Sequence, residues 1–162
     1  MGTALADAVK AKKSVQIGEK EMAIRPLELN DYGCWDRWAR ASHLKACTDA
    51  AVGLDQNTQR TMLREAQDMA TRIYFGSPRA LGLLLSLESK LLVIGMALST
   101  PETEVSKSDA WKLFCNADNQ PDFVGINAAW EEILILSGLR KKSEGSPENP
   151  QTLVSSIIAL LS

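Results

Sequence analysis

The single histidine of the chain, His43, stands four residues before Cys47, so both side chains would lie on one side of a helix. An imidazole and a thiolate at this spacing can form one edge of a zinc site, but zinc normally takes four ligands. Cys34 would project from another side of the same helix, and Cys115 lies far along the chain. The pair therefore predicts an ordinary, partly buried helix face rather than a metal centre.

The residue types needed for nucleophilic or acid–base catalysis do not fall into a known pattern. No serine occupies a G-x-S-x-G turn, and His43 is the sole imidazole available to a serine or cysteine triad. The adjacent carboxylates Glu131 and Glu132 would point in different directions on a helix. We therefore expect a protein that is not an enzyme and uses no cofactor. The alternative is that the chain is a small enzyme or regulator, with a site formed around Asp36, His43 and Cys47.

The composition is typical of one globular domain of ordinary size. With 162 residues, a hydrophobic fraction of 45% and a charged fraction of 23%, the chain is long enough to bury a core. Its formal net charge of −2 gives no general attraction to nucleic acid or anionic lipid. The basic clusters at 10–13 and 140–142 are short and lack interleaved aromatic residues, so they predict no nucleic-acid partner.

The segment 80–99 is the most hydrophobic part of the chain and has roughly the length of a membrane span. Glu88 and Lys90 lie at its middle, where each charge costs about 2.5–3.5 kcal/mol on insertion scales. We therefore predict a buried core helix and no membrane partner. The start of the chain lacks the apolar core of a signal peptide, and the three cysteines are expected as reduced thiols in the cytoplasm.

Patterning predicts a mainly α fold: a small helical domain of about five helices with an N-terminal β-hairpin. Alternating apolar and polar residues predict strands at 14–17 and 21–25, joined through Gly18 and closed by Pro26. Apolar spacing predicts helices at about 32–46, 55–74, 80–99, 107–115 and 122–138. The expected N-caps are Asn30 or Asp31, then Asp55, Ser77, Ser106 and Asp122.

Each amphipathic helix has a predicted core-facing side. In the first helix, Trp35, Trp38 and Ala39 would lie on one side, and Asp36 and Arg40 would form a pair at the i,i+4 spacing. The second helix would bury Met62, Ala66, Met69, Ala70 and Ile73. The last helix would bury Ile126, Trp130, Ile133 and Leu134. The two methionines also suit an adaptable binding surface, but we interpret them as core residues.

Composition divides the chain into a flexible N-terminus (1–13), the hairpin and helical domain (14–139), a polar linker (140–152) and an apolar C-terminal tail (153–162). Five apolar residues of the tail cluster on one helical side and are the candidate protein-binding residues: Leu153, Val154, Ile157, Ile158 and Leu161. Such a segment either docks on its own domain or lies in a partner's groove. Both alternatives stay open.

The run from residue 17 to residue 35, I-G-E-K-E-M-A-I-R-P-L-E-L-N-D-Y-G-C-W, resembles the opening of tail assembly chaperones of long-tailed bacteriophages. In that family a short hairpin ends in a basic residue, followed by Pro-Leu and a capped helix that bears an aromatic residue. The corresponding positions are Arg25, Pro26, Leu27, Asn30, Asp31, Tyr32 and Trp35. The helix order is also similar, but the polar stretch 116–121 and the apolar tail have no counterpart in the family.

The resemblance implies a non-catalytic protein of the bacterial host cytoplasm. Such chaperones are thought to coat the tape measure protein and keep it soluble until the tail tube protein polymerises around it. Unassembled amphipathic rods expose apolar seams that promote aggregation. The implied partners are thus the tape measure and tail tube proteins, with a homo-oligomer also possible. The alternative is a structural phage component, such as a head–tail connector, baseplate or other tail subunit retained in the virion.

Overall fold

A computed structural model describes residues 13–17 and 20–140. Three of the regions predicted above fall largely or wholly outside these residues: the flexible N-terminus before Lys13, the linker beyond Arg140, and the apolar tail. The five candidate binding residues of the tail, Leu153, Val154, Ile157, Ile158 and Leu161, therefore also lie outside the described residues.

The described chain is mainly helical and begins with an antiparallel hairpin, which confirms the predicted fold class. The strands are β1 (Lys13–Ile17) and β2 (Lys20–Ile24). The helices are α1 (Leu29–Ala51), α2 (Gln56–Ala70), α3 (Leu81–Leu84), α4 (Leu87–Leu98), α5 (Lys107–Leu113) and α6 (Phe123–Leu136), with a 3-10 turn at Pro78–Ala80 before α3.

The hairpin is stable because it packs on the helices. Its register runs from Lys13 opposite Ile24 to Ile17 opposite Lys20. One face buries Ile17 and Ile24, with β1 against α6 and β2 against α4. The backbone N–H of Arg25 then donates to the carbonyl of Ala97 at 3.0 Å, which ties the end of β2 to α4. An isolated two-stranded hairpin would be only marginally stable in water.

Helices α4 and α6 form the centre of the core. The predicted inward face of α6 is confirmed, because Ile126, Trp130, Ile133 and Leu134 are all fully or nearly fully buried. Helix α4 contacts α1, α5 and α6 as well as β2. Its buried Ser89 hydroxyl accepts a 2.7 Å hydrogen bond from the indole Nε1 of Trp35, which satisfies both polar groups inside the core.

The single helix predicted at 80–99 is wrong, since the segment forms two helices that meet at a bend of 85°. Ser86 causes the break. Its hydroxyl donates to the carbonyl of Leu83 at 2.6 Å and accepts from the N–H of Ser89 at 3.2 Å. One side chain therefore closes α3 and caps α4, because serine competes for backbone groups that a continuous helix would use.

Helix α1 is longer than predicted at both ends. It begins at Leu29 after the cap residue Glu28, so neither Asn30 nor Asp31 is the N-cap. Asp31 instead reaches back from the third helical position and accepts the N–H of Glu28 at 2.7 Å. At the other end α1 continues to Ala51 and is followed by Gly53, whose φ of 86° suits glycine after a helix.

Helix α2 ends at Ala70, four residues earlier than predicted, because α1 holds the chain that follows it. The Asp36 carboxylate accepts the N–H of Phe75 at 2.6 Å, and the Arg40 guanidinium donates to the carbonyl of Ile73 at 3.0 Å. The expected Asp36–Arg40 pair is thus replaced by two bonds to the backbone after α2. Ala70 is buried as predicted, whereas Met69 is exposed.

Candidate protein-binding surface

A helical hairpin, here called the helical arm, extends from the core. It consists of the second half of α1 (residues 40–51), the turn at 52–55, and α2 with its following turn to Tyr74. Among the described elements, α2 packs mainly on α1. Its Ala66 and Ala70 are buried there, and Ile73 joins the core. The exposed charged residues of this segment include Arg60, Arg64, Asp68 and, just after the helix, Arg72. The arm therefore leaves much of α2 open to a partner.

Local hydrogen bonds fix the tip of the arm. The Asp55 carboxylate caps α2 by accepting the N–H groups of Asn57 and Thr58. A hydrogen bond from the Thr58 hydroxyl, with these backbone bonds, lowers the pKa of Asp55. The side-chain amide of Gln59 donates to the carbonyls of Ala51 and Leu54 at 3.1 and 3.0 Å, which joins the first turn of α2 to the end of α1.

Aromatic contacts fix the base of the arm. The Phe75 ring packs edge-on against Tyr32 and Trp35, with ring centroids 5.0 and 5.1 Å apart. Burial raises the pKa of Tyr32, and the nearby negative charge of Asp31 raises it further. Together with the Asp36 and Arg40 bonds to the backbone, these contacts hold the base of the arm against the first half of α1.

The arm carries much of the exposed apolar surface in the described part of the chain. Val52 and Leu54 are 78% and 42% exposed at the tip, and Met69 and Tyr74 are 39% and 52% exposed near the base. Sequence reasoning assigned Met69 to the core and did not identify the other three. The V-G-L sequence at 52–54, after an alanine-rich helix, is the available signal for an apolar turn between two helices.

The family-like residues after the hairpin form a structural junction rather than an open site. The Arg25 guanidinium makes two bonds to the Asp31 carboxylate, at 2.6 and 3.1 Å, and one to the carbonyl of Ser99 at 3.2 Å. The bond to Asp31 raises the pKa of Arg25. The N–H of Leu27 donates to the Ser137 hydroxyl at 2.9 Å. The motif thus joins β2, α1, α4 and α6.

The candidate metal pair has little support in the described residues. His43 Nε2 and Cys47 Sγ are 3.8 Å apart, and no group of three His, Cys, Asp or Glu side chains there is placed to hold a metal ion. Asp36, the third member of the alternative catalytic cluster, is bonded to the backbone of Phe75. Asp36 therefore contributes to the contact between α1 and the chain that follows α2.

The paired carboxylates of α6 diverge as predicted. Glu131 forms an ion pair with Arg140 at 2.9 Å, whereas Glu132 pairs with Lys13 at the start of β1. The first ion pair holds the chain immediately after α6, and the second attaches the hairpin to the same helix. Their separate partners indicate two structural contacts and no shared acid–base site.

A shallow apolar groove of about 340 Å³ lies between β2 and the end of α4, lined mainly by Ala23, Ile24, Ala97, Leu98 and Pro101. Arg25, Ser99, Thr100 and Glu102 complete the lining, but most of its exposed surface is apolar, so the groove offers little to orient a small polar substrate. In the described residues, no single helix is long and apolar enough to cross a membrane. The bent pair Pro78–Leu84 and Leu87–Leu98, taken together, has the length and apolar composition of a membrane span.

The candidate binding surface is the helical arm, because it presents exposed apolar side chains among charged ones. Its chemistry fits contact with another polypeptide, because the exposed groups are spread along a helix rather than gathered around one reacting atom. Comparison with known proteins identifies no relative: no protein-family model, curated protein or solved structure matches the chain.

Proposed function

We propose that this chain is a non-catalytic tail assembly chaperone of a long-tailed bacteriophage. In this role it binds the tape measure protein in the host cytoplasm and keeps it soluble until the tail tube protein polymerises. The observation that carries the proposal is the helical arm, which exposes Val52, Leu54, Met69 and Tyr74 on a helical hairpin. The family-like run that ends at Trp35 supplies the identity of the partner.

The physical requirement for such a chaperone is modest. A tape measure helix with an apolar seam needs a second apolar surface that covers the seam and can later dissociate from it. The arm offers separated apolar side chains among arginines and carboxylates, so each copy contributes a small contact area. Many copies along a rod would cover its whole apolar seam, while tail tube subunits could still displace the weakly bound copies one at a time.

The proposal is tested by co-expressing the full chain with the tape measure protein of the same phage. We expect a soluble complex with many chaperone copies per rod, measured by affinity capture and by size-exclusion chromatography with light scattering. The tape measure protein expressed alone is the matched control and should be insoluble. A chain that leaves the tape measure protein insoluble and elutes separately from it would contradict the proposal.

Mass spectrometry of purified virions separates a chaperone from a structural phage component. A chaperone leaves before the tail matures, so its peptides should be absent from particles that contain tape measure and tail tube peptides. Stoichiometric retention of the chain would instead identify a connector, baseplate or other tail subunit.

A further inference from the structure

Near the C-terminal end of α2, an apolar side chain of the arm meets a cationic side chain of the 3-10 turn that follows. The Arg79 guanidinium contacts the Met69 sulfur. Exposed Arg72 and Tyr74 lie in the segment that joins α2 to Arg79. Met69, Arg72, Tyr74 and Arg79, here called the arginine-rimmed patch, are thus exposed apolar and cationic side chains within one short stretch of the chain.

The charges of the patch are not balanced within the described chain. Neither Arg72 nor Arg79 takes part in an ion pair with residues 13–17 or 20–140. The exposed carboxylates of α2 that precede the patch, Glu65 and Asp68, form no ion pair with either arginine, and the Asp36 carboxylate is bonded to the backbone of Phe75. The patch therefore has unused capacity for carboxylates supplied by a partner.

We propose that the arginine-rimmed patch binds an amphipathic helix of the tape measure protein whose apolar stripe is flanked by aspartate or glutamate. This inference rests on the proposed function and specifies which surface and which kind of segment carry it. Methionine adapts to varied apolar side chains, which suits a chaperone that meets many segments of one rod. Tyrosine and arginine are enriched among residues that dominate binding energy.

The two components of the patch make separable contributions. Burial of Met69 and Tyr74 supplies affinity that depends little on salt. Pairing of Arg72 and Arg79 with carboxylates selects acidic segments, accelerates association and weakens as salt screens the charges. Segments of the tape measure protein with basic flanks should therefore bind less well than acidic ones of equal hydrophobicity.

The test measures binding of the full chain to overlapping, fluorescently labelled segments of the tape measure protein. One variant combines Met69→Ser with Tyr74→Ser, and a second combines Arg72→Glu with Arg79→Glu. Each should bind acidic amphipathic segments about tenfold more weakly than the wild type. For the charge-reversed variant, the loss should shrink at high salt, and lysine substitution of the flanking carboxylates in the segment should restore binding.

Matched controls use exposed residues elsewhere. Lys20→Glu with Lys112→Glu makes the same charge change at exposed positions outside the arm, on β2 and α5, and Val124→Ser removes a side chain that is 80% exposed on α6. Both should bind within about twofold of the wild type, and circular dichroism should show that every variant folds, since exposed substitutions rarely alter stability much.

The possible results separate the inference from the proposed function. Wild-type binding that both patch variants retain would overturn the patch assignment and leave the chaperone proposal standing. A wild-type chain that binds no tape measure segment would overturn both. Binding of a single-stranded RNA oligonucleotide in place of every segment would have the same consequence, because arginine and tyrosine surfaces also suit nucleic acid.

Discussion

Arg25 and Asp31 form a two-point ion pair, with nitrogen–oxygen distances of 2.6 and 3.1 Å, between the end of the hairpin and the first turn of α1. The Asp31 side chain is 9% exposed and that of Arg25 25%. The same carboxylate caps α1 through the N–H of Glu28. The contact therefore determines how the β-hairpin meets the helical domain, which gives the R-P-L run a structural explanation.

Replacing Arg25 by alanine should lower the free energy of unfolding by about 2–3 kcal/mol. The substitution leaves the buried Asp31 carboxylate without its cation and also removes the bond to the carbonyl of Ser99. Urea denaturation monitored by circular dichroism measures the loss. The matched control is Lys45→Ala, which breaks the exposed Lys45–Asp49 pair and should cost at most about 0.5 kcal/mol. Equal losses in the two variants would contradict the central role of Arg25.

Substituting alanine at Gly95 or Gly82 should have opposite effects. A Cβ at Gly95 would lie 2.6 Å from the carbonyl oxygen of Val105, so the backbone before α5 must shift. We expect Gly95→Ala to cost about 1–3 kcal/mol despite the higher helix propensity of alanine. At Gly82, within α3, a Cβ meets no atom within 4 Å.

Gly82→Ala should therefore be neutral or raise the free energy of unfolding by up to about 1 kcal/mol. Thermal and urea unfolding of both variants measure the two changes under the same conditions. If Gly95→Ala proved as stable as the wild type, the close approach of α4 to the segment before α5 would be disproved.

The hairpin, the capping residues Asp55, Ser106 and Asp122, and the inward face of α6 follow from short-range patterns, so the sequence predicts them. The bend at Ser86 was not predicted, because a continuous apolar run hides a serine that bonds to the backbone on both sides. The early end of α2 depends on Asp36 and Arg40, which are more than thirty residues away in sequence. Periodicity within one helix does not contain that information.

The candidate surface was predicted only in part for the same reason. The helical spacing of Met69 indicates an apolar stripe, but it does not indicate how far along α2 the stripe is covered. In the structure α1 covers Ala66 and Ala70 and leaves Met69 exposed beside Arg79. That arrangement depends on the path of the chain after α2, so the arginine-rimmed patch emerges only in three dimensions.

Replacing Ser89 by alanine should destabilise the core, although the two side chains differ by a single oxygen. The indole N–H of Trp35 would then lie buried without its 2.7 Å acceptor, at a cost of about 1–3 kcal/mol. Urea unfolding gives the magnitude. Exposed Ser108→Ala in α5 is the control and should change stability by about 0.5 kcal/mol or less.

A double-mutant cycle tests the cause of that loss. Adding Trp35→Phe to Ser89→Ala removes the unpaired donor, so the two substitutions together should cost less than the sum of their separate effects. Simple additivity would show that the hydrogen bond between Trp35 and Ser89 contributes nothing specific.

Acid should weaken the tip of the helical arm through Asp55. Hydrogen bonding lowers the pKa of this carboxyl in the folded protein, so folding favours its charged form. The contribution is fully present above the pKa of the unfolded chain, about 3.9, and is lost as the pH falls through the lower folded value. The measurement is the thermal midpoint of the wild type and of Asp55→Asn at a series of pH values from about 6 to about 2. The wild type should be more stable than the variant at about pH 6, and this difference should narrow below about pH 4. Asp68→Asn removes an equal charge elsewhere on α2, and an identical pH dependence in both variants would show that the charge of Asp55 contributes nothing specific at the cap.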